Sequence, residues 1–155
     1  MLAAEKDFGM LRRGDRILLG LSGGSDSLAL LDLLAYQQRV LSRRLGIRVI
    51  AAHVPGRYRG RPIAPVAKLK LLCDQLDLPF VAAEQELRDE IFNDCFACAR
   101  ARRSILFGMA ERHGCGTIAL GHNADDIVET AYEEIHLHGR NKKRNRRWGV
   151  DRIPL

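Results

Sequence analysis

Apolar positions in this chain fall into two kinds of run, and the two kinds alternate. Residues 17–21, 46–53, 80–83 and 117–120 form short, nearly continuous apolar stretches, the length of buried strands. Between them apolar residues recur at three- and four-residue spacing, which predicts helices over 3–11, 26–41, 66–76, 99–113 and 124–136. Arg12-Arg13-Gly14-Asp15 is a turn signal, 55–65 is a Pro/Gly/Arg-rich loop, and the polar stretch 84–94 is a loop or broken helix. Strands alternating with helices of this length predict an α/β fold: a parallel twisted sheet, right-handed crossovers and helices on both faces. A chain of 155 residues suffices for one such core, and neither an internal repeat nor a second domain is visible. Residues 1–138 are expected to form the domain, with 139–155 a separate basic C-terminal segment.

In open parallel sheets ligands sit beyond the carboxyl ends of the strands. The first strand leads into Ser22-Gly23-Gly24-Ser25-Asp26-Ser27 and then an apolar helix. Glycines let backbone N–H groups close on a phosphate, and a helix start adds unpaired donors and partial positive charge. The segment is neither a P-loop, lacking its lysine, nor a Rossmann turn, because position 27 is serine. The plainer alternative is an ordinary strand-to-helix turn with Ser25 as N-cap.

Two more strand ends carry polar groups. His53 closes the second strand, where its side chain caps the strand or its backbone meets an adenine edge. Gly121-His122 closes the fourth, followed by Asn123, Asp125 and Asp126 entering a helix. Asp126, Glu129 and Thr130 share a helical face there, and beside a phosphate loop such carboxylates suit Mg2+ bridging ATP phosphates. The alternative is again capping, by Asn123 with Asp125 and Asp126 favouring the helix dipole. Cys95 and Cys98 have Cys-x-x-Cys spacing just before the fourth long helix, which suits half a metal site or a redox pair. Arg100, Arg102 and Arg103 follow, at a place where cations oppose the helix dipole; they line an anionic channel for RNA or face solvent. Cys73 lies on an apolar stripe and Cys115 in a Gly-Cys-Gly turn, both reading as packed thiols, and His136 and His138 do not face one another.

Composition changes this picture in one respect. An apolar fraction of 46% and a charged fraction of 28% are ordinary for a globular protein. No membrane span or export signal is visible, so a cytoplasmic location with reduced thiols is expected. The net charge of +6, however, is concentrated. Between 139 and 155, Arg140, Lys142, Lys143, Arg144, Arg146, Arg147 and Arg152 face one acid, Asp151, which accounts for the whole excess. Such a run grips a polyanion such as RNA or stays solvated.

Together, Ser22–Ser27, Cys95–Cys98 and the stretch from Gly121 to Thr130 occur in the order seen in the TtcA-like group of PP-loop proteins, the tRNA 2-thiolation enzymes. Leu11-Arg12-Arg13-Gly14-Asp15-Arg16-Ile17 and Thr117-Ile118-Ala119-Leu120-Gly121-His122 also resemble that group, over about residues 3–138. The glycine loop is shared by the whole PP-loop ATP pyrophosphatase superfamily, whose Rossmann-like sheet is called adenine nucleotide alpha hydrolase-like; the cysteine pair narrows the likeness. The resemblance implies ATP held by Ser22, Gly23, Gly24, Ser25, Asp26 and Ser27 with His53, Gly121 and His122 nearby, and Mg2+ assisted by Asp26, Asp125 or Asp126. It implies adenylation of a tRNA base carbonyl with release of pyrophosphate, then displacement of AMP by sulfur from sulfide or a donor protein. Cys95 and Cys98 would help hold a 4Fe-4S cluster, and Arg100, Arg103, Lys142, Lys143, Arg144, Arg146 and Arg147 would face RNA. A homodimer would supply missing ligands or RNA surface in trans.

Three departures stand out: Ser25 replaces a frequent lysine, the basic segment replaces a less charged region, and no cysteine follows Cys115 where the group has its third cluster ligand. Two alternatives therefore accompany the thiolation reading. One is a non-catalytic or incomplete ATP-binding module, and the other a PP-loop enzyme acting on a small molecule.

Overall fold

The computed structural model describes residues 11–88, 91 and 95–122, with backbone only for 41–45 and 95. The helix predicted over 124–136, and all but the last residue of that over 3–11, lie outside the described residues. The elements run β1 (Arg16–Gly20), α1 (Ser25–Leu45), β2 (Arg48–His53), β3 (Arg57–Tyr58), β4 (Arg61–Pro62), α2 (Val66–Gln75), β5 (Phe80–Ala82), α3 (Cys95–Arg112) and β6 (Thr117–Leu120).

Four strands form one parallel sheet in the order β5-β2-β1-β6. β1 is central: Ile17 pairs with Val49 on one side and Thr117 on the other. A parallel strand covered on both faces must be apolar at successive positions, and Ile17, Leu18 and Leu19 are each fully buried. Alternation then divides them between two cores. Ile17, Leu19, Val49 and Ala51 pack with Leu31, Leu34 and Ala35 of α1 and Leu69 and Cys73 of α2. Leu18, Ile50 and Ala52 pack with Leu106, Met109 and Ala110 of α3. Helices thus cover both faces, as the alternating pattern predicts. Each fully buried Leu or Ile contributes about 1.5–3 kcal/mol relative to exposure, so β1 is the energetic spine of the fold.

α1 runs to Leu45, four residues past the predicted end, and two further differences from the sequence reading lie nearer the site. α3 opens at Cys95, four residues before the predicted start. Nothing in Cys-Phe-Ala-Cys breaks a helix, and Asn93-Asp94 are residue types favoured immediately before one. The 55–65 loop contains a hairpin, in which Arg57 pairs with Pro62 and Tyr58 with Arg61 around a two-residue turn. That turn needs positive φ at both central residues, and Arg59 and Gly60 have φ of 52° and 74°. The root of the hairpin is tied down: Ile63 N–H donates to Gly56 O at 3.0 Å, and Leu87 N–H to Pro55 O at 2.9 Å. No helix of the described residues is long and apolar enough to cross a membrane.

Candidate functional site

The chain moves outward from β1 to β2 to β5, then returns through α3 to add β6 on the other side of β1. The winding reverses between β1 and β6, and the crevice beyond the carboxyl ends of those two strands is where such sheets bind ligands. Residues 22–27 leave β1 there and Gly121-His122 leave β6 there. Gly121 lies so close to α1 that a Cβ on it would be 2.8 Å from Ser27 N and 2.9 Å from the Asp26 carbonyl carbon. Only glycine lets the β6 exit meet the first turn of α1, so this residue packs the two sides of the crevice together.

The loop is organised by its own serines. Ser27 is buried, and its hydroxyl donates to Gly24 O at 2.9 Å while accepting from Gly23 N–H at 3.2 Å and from the Ser22 hydroxyl at 3.0 Å. The Ser22 hydroxyl in turn accepts from Gly24 N–H at 3.2 Å. Gly23 takes φ of 92°, a conformation that L side chains rarely adopt, and lies against Ala64 and Leu69. α1 follows at once, with Leu28 N–H donating to Gly24 O at 3.1 Å. The N–H groups that open a helix have no intrahelical acceptors, so this turn presents donors and positive partial charge outward. Ser22, Gly24, Ser25 and Asp26 are exposed, while Ser27 is the internal brace. The alternative of Ser25 as N-cap is not what the structure has: Ser25 is the first residue of α1, and its hydroxyl meets Asp26 Oδ1 at 3.4 Å.

His53 does not reach outward. Its side chain is 1% exposed and Nδ1 lies 2.7 Å from Leu21 O, so Nδ1 carries the proton and donates to the carbonyl just before the loop. Nε2 is buried with no hydrogen-bond partner among the described residues. Burial holds the imidazole pKa below 6.5; the Leu21 hydrogen bond opposes that shift and the positive charge of Arg102 reinforces it. The His53 backbone carbonyl is occupied by Ala83 N–H at 2.9 Å. His53 thus ties the end of β2 to the root of the glycine loop. The approach of Arg102 from α3 had no signal in the sequence beyond its membership of an arginine cluster.

Cys95 and Cys98 stand three residues apart in the first turn of α3, neighbouring positions on one helix side. Cys98 is buried in the α3-side core. Cys115 shares that core but follows the opposite end of α3: from Cys98 to Arg112 the helix rises about 21 Å. Cys73 belongs to the core on the other sheet face. Burial pushes the thiol pKa of both Cys73 and Cys115 up, as packed, unreactive thiols require. Among the described residues no three His, Cys, Asp or Glu side chains gather as a metal site. Because α3 opens at Cys95, Arg100, Arg102 and Arg103 lie beyond its first turn, and the dipole conflict read from the sequence largely disappears. Arg100 instead stacks on Phe96, 5.7 Å from the ring centre, and Arg103 is exposed. His122 is exposed at the β6 exit. Asp125, Asp126, Lys142, Lys143, Arg144, Arg146 and Arg147 lie outside the described residues.

Comparison with known proteins fits this geometry. A family model described as a PP-loop domain matches residues 3–137. The tRNA-cytidine(32) 2-sulfurtransferase of Alkalilimnicola ehrlichii is 36% identical over 141 residues, covering 88% of this chain and 44% of that protein. That of Shewanella baltica is 35% identical over 148 residues, covering 90% and 46%. The chain therefore spans less than half the length of these curated relatives. Among solved structures, the U34-tRNA thiolase NcsA from Methanococcus maripaludis with its 4Fe-4S cluster shares the fold at a TM-score of 0.67. It is 24% identical, with 85% of this chain and 45% of that one covered. Since the match takes in the serine-glycine loop, the cysteine pair and the β6 exit alike, this chain belongs to the PP-loop family.

Proposed function

We propose that this chain is the ATP-binding and adenylating core of a tRNA 2-thiolation enzyme. The observation that carries the reading is the self-braced Ser22–Ser27 loop at the winding reversal. It occurs in a chain 35–36% identical to proteins named tRNA-cytidine(32) 2-sulfurtransferase.

In this reading the loop and the first turn of α1 receive the β- and γ-phosphates of ATP. A base carbonyl oxygen attacks the α-phosphorus; the new O–P bond forms as the bond to pyrophosphate breaks. The helix start stabilises the charge on the departing pyrophosphate, and placement of donors before reaction is what makes this effective. The O-adenylated carbon then has a good leaving group. Sulfide, supplied as such or released beforehand by a donor protein, forms the C–S bond while AMP departs with the oxygen and the S–H proton passes to solvent. Asp26, with Asp125 and Asp126 from the sequence, is assigned to Mg2+, which when bound would screen the phosphate charge. Cys95 and Cys98 would contribute two thiolates to a 4Fe-4S cluster, a group that would present sulfur to the activated base. His53 holds the Leu21 carbonyl, and Ser27 holds the turn, so that the loop keeps its shape before ATP arrives.

The test is product identity. With ATP, Mg2+, tRNA and sulfide the chain should form AMP and pyrophosphate in step with a thiolated base, and ADP as the product would sink the reading. Asp26→Asn should lower AMP formation on the order of a hundredfold while the fold survives. One observation favours a second reading, an ATP-binding module that needs further protein: the chain spans 44–46% of the length of those relatives. That reading expects ATP binding with no AMP formed under the same conditions.

A further inference from the structure

We infer that the β3–β4 hairpin is an RNA-contacting arm in which Arg57, Arg59 and Arg61 meet phosphates and Tyr58 offers a stacking face to an unpaired base. The inference rests on the reading of tRNA as substrate and names a surface of the protein that would hold it. Three arginines fall within five residues, all exposed, and residues 55–65 contain no acid. Tyr58 is 45% exposed and the Arg59 guanidinium lies 5.3 Å from its ring centre. Guanidinium planes beside an aromatic face suit single-stranded RNA, whose bases stack while the cations track the backbone. An acidic protein surface would use the charges but gives no reason for an exposed ring among them.

Placement strengthens the case. The hairpin leaves the carboxyl end of β2 directly after His53, on the side of the sheet where the glycine loop lies. Its distal root reaches that loop, because Ala64 and Leu69 pack against Gly23. The root is also held by Gly56 and Leu87 through their parallel bridge. The arm is thus fixed relative to the proposed reaction centre. Arg57 is already shared with Glu86, at 3.6 Å in an exposed pair, so among the described residues Arg59 and Arg61 are the hairpin cations with no ion pair to an acid.

The arm can be tested without disturbing the fold. Arg59→Asn places Asn-Gly, the preferred pair for a two-residue hairpin turn, where φ is already positive at both positions. In the full chain, R59N/R61Q should weaken tRNA binding roughly tenfold near physiological salt. It should also flatten the dependence of log affinity on log salt by about 1 to 2, with ATP affinity unchanged. Tyr58→Ala should cost on the order of fivefold or more in tRNA affinity, and Tyr58→Phe should restore it. If the unaltered chain binds tRNA but R59N/R61Q binds it with the same affinity and salt slope, the arm is excluded and the substrate reading stands. If the unaltered chain binds no tRNA even at low salt, the substrate reading fails and the arm with it. If R59N/R61Q loses ATP affinity in parallel with tRNA, the hairpin acts through the loop it packs on, and direct RNA contact is overturned.

Discussion

A histidine whose Nδ1–H is committed to the Leu21 carbonyl has only Nε2 left to take a proton, and in this protein that atom is buried. Protonating it would place a charge in the interior, with Arg102 adding repulsion, which is why the folded-state pKa lies below 6.5. The sign of the consequence follows from proton counting. Below pH 6.5 the unfolded chain binds a proton at this residue that the folded chain refuses, so stability is full above that value and falls as pH drops towards the folded pKa. Thermal melts from about pH 7.5 to about 5.5 should show this decline, and His53→Gln should flatten it relative to the unaltered protein. Equal slopes in the two proteins would mean that His53 does not govern the acid limb. The same substitution loosens the tie to Leu21 and should weaken ATP binding at neutral pH.

At the scale of elements, the site depends on one strand exit lying against one helix start. Gly121→Ala would put a methyl group 2.8 Å from Ser27 N and 2.9 Å from the Asp26 carbonyl carbon, both backbone atoms that cannot swing aside. It should cost about 1–3 kcal/mol and weaken ATP binding, since the loop must shift to relieve the clash. Gly116→Ala, immediately before the same strand, meets nothing within 4 Å and should leave both properties within error. Equal effects from the two would refute a specific contact. The four parallel strands could be read from the chain because β1 and β2, covered on both faces, are short continuous apolar runs bounded by turn residues, and the shorter runs of β5 and β6 repeat that pattern between helices. The β3–β4 hairpin could not, since its turn uses Arg-Gly rather than the Asn-Gly or Asp-Gly pairs that signal positive φ. The start of α3 is less legible, because the spacing of Cys95 and Cys98 suits a first helical turn and a metal or redox pair alike. In the site, the glycines and serines of 22–27 were readable from their order alone. The inward turn of His53 and the approach of Arg102 arise only when β2, β1 and α3 are packed together.

For the whole molecule the governing asymmetry is charge. Residues 139–155 carry seven basic side chains and one acid, the full net charge of +6, and leave the remaining 138 residues neutral. If the substrate is tRNA, long-range attraction belongs to this segment while contact near the reaction centre belongs to residues around the glycine loop. The two roles separate under salt. Counterion release makes affinity fall linearly with salt on logarithmic axes, by about 0.7 to 0.9 in slope for each phosphate neutralised. A chain ending at residue 138 should therefore bind tRNA more weakly at low salt, with a slope smaller by several units. It should approach the affinity of the longer chain at high salt, where the electrostatic term is screened. ATP affinity should not change, because the glycine loop and the β6 exit both precede residue 139 and are held by the ends of β1 and β6. Identical tRNA affinity and slope in the two chains would assign the basic run to solvation. The search for RNA contacts would then fall on the arginines of the β3–β4 hairpin and of α3.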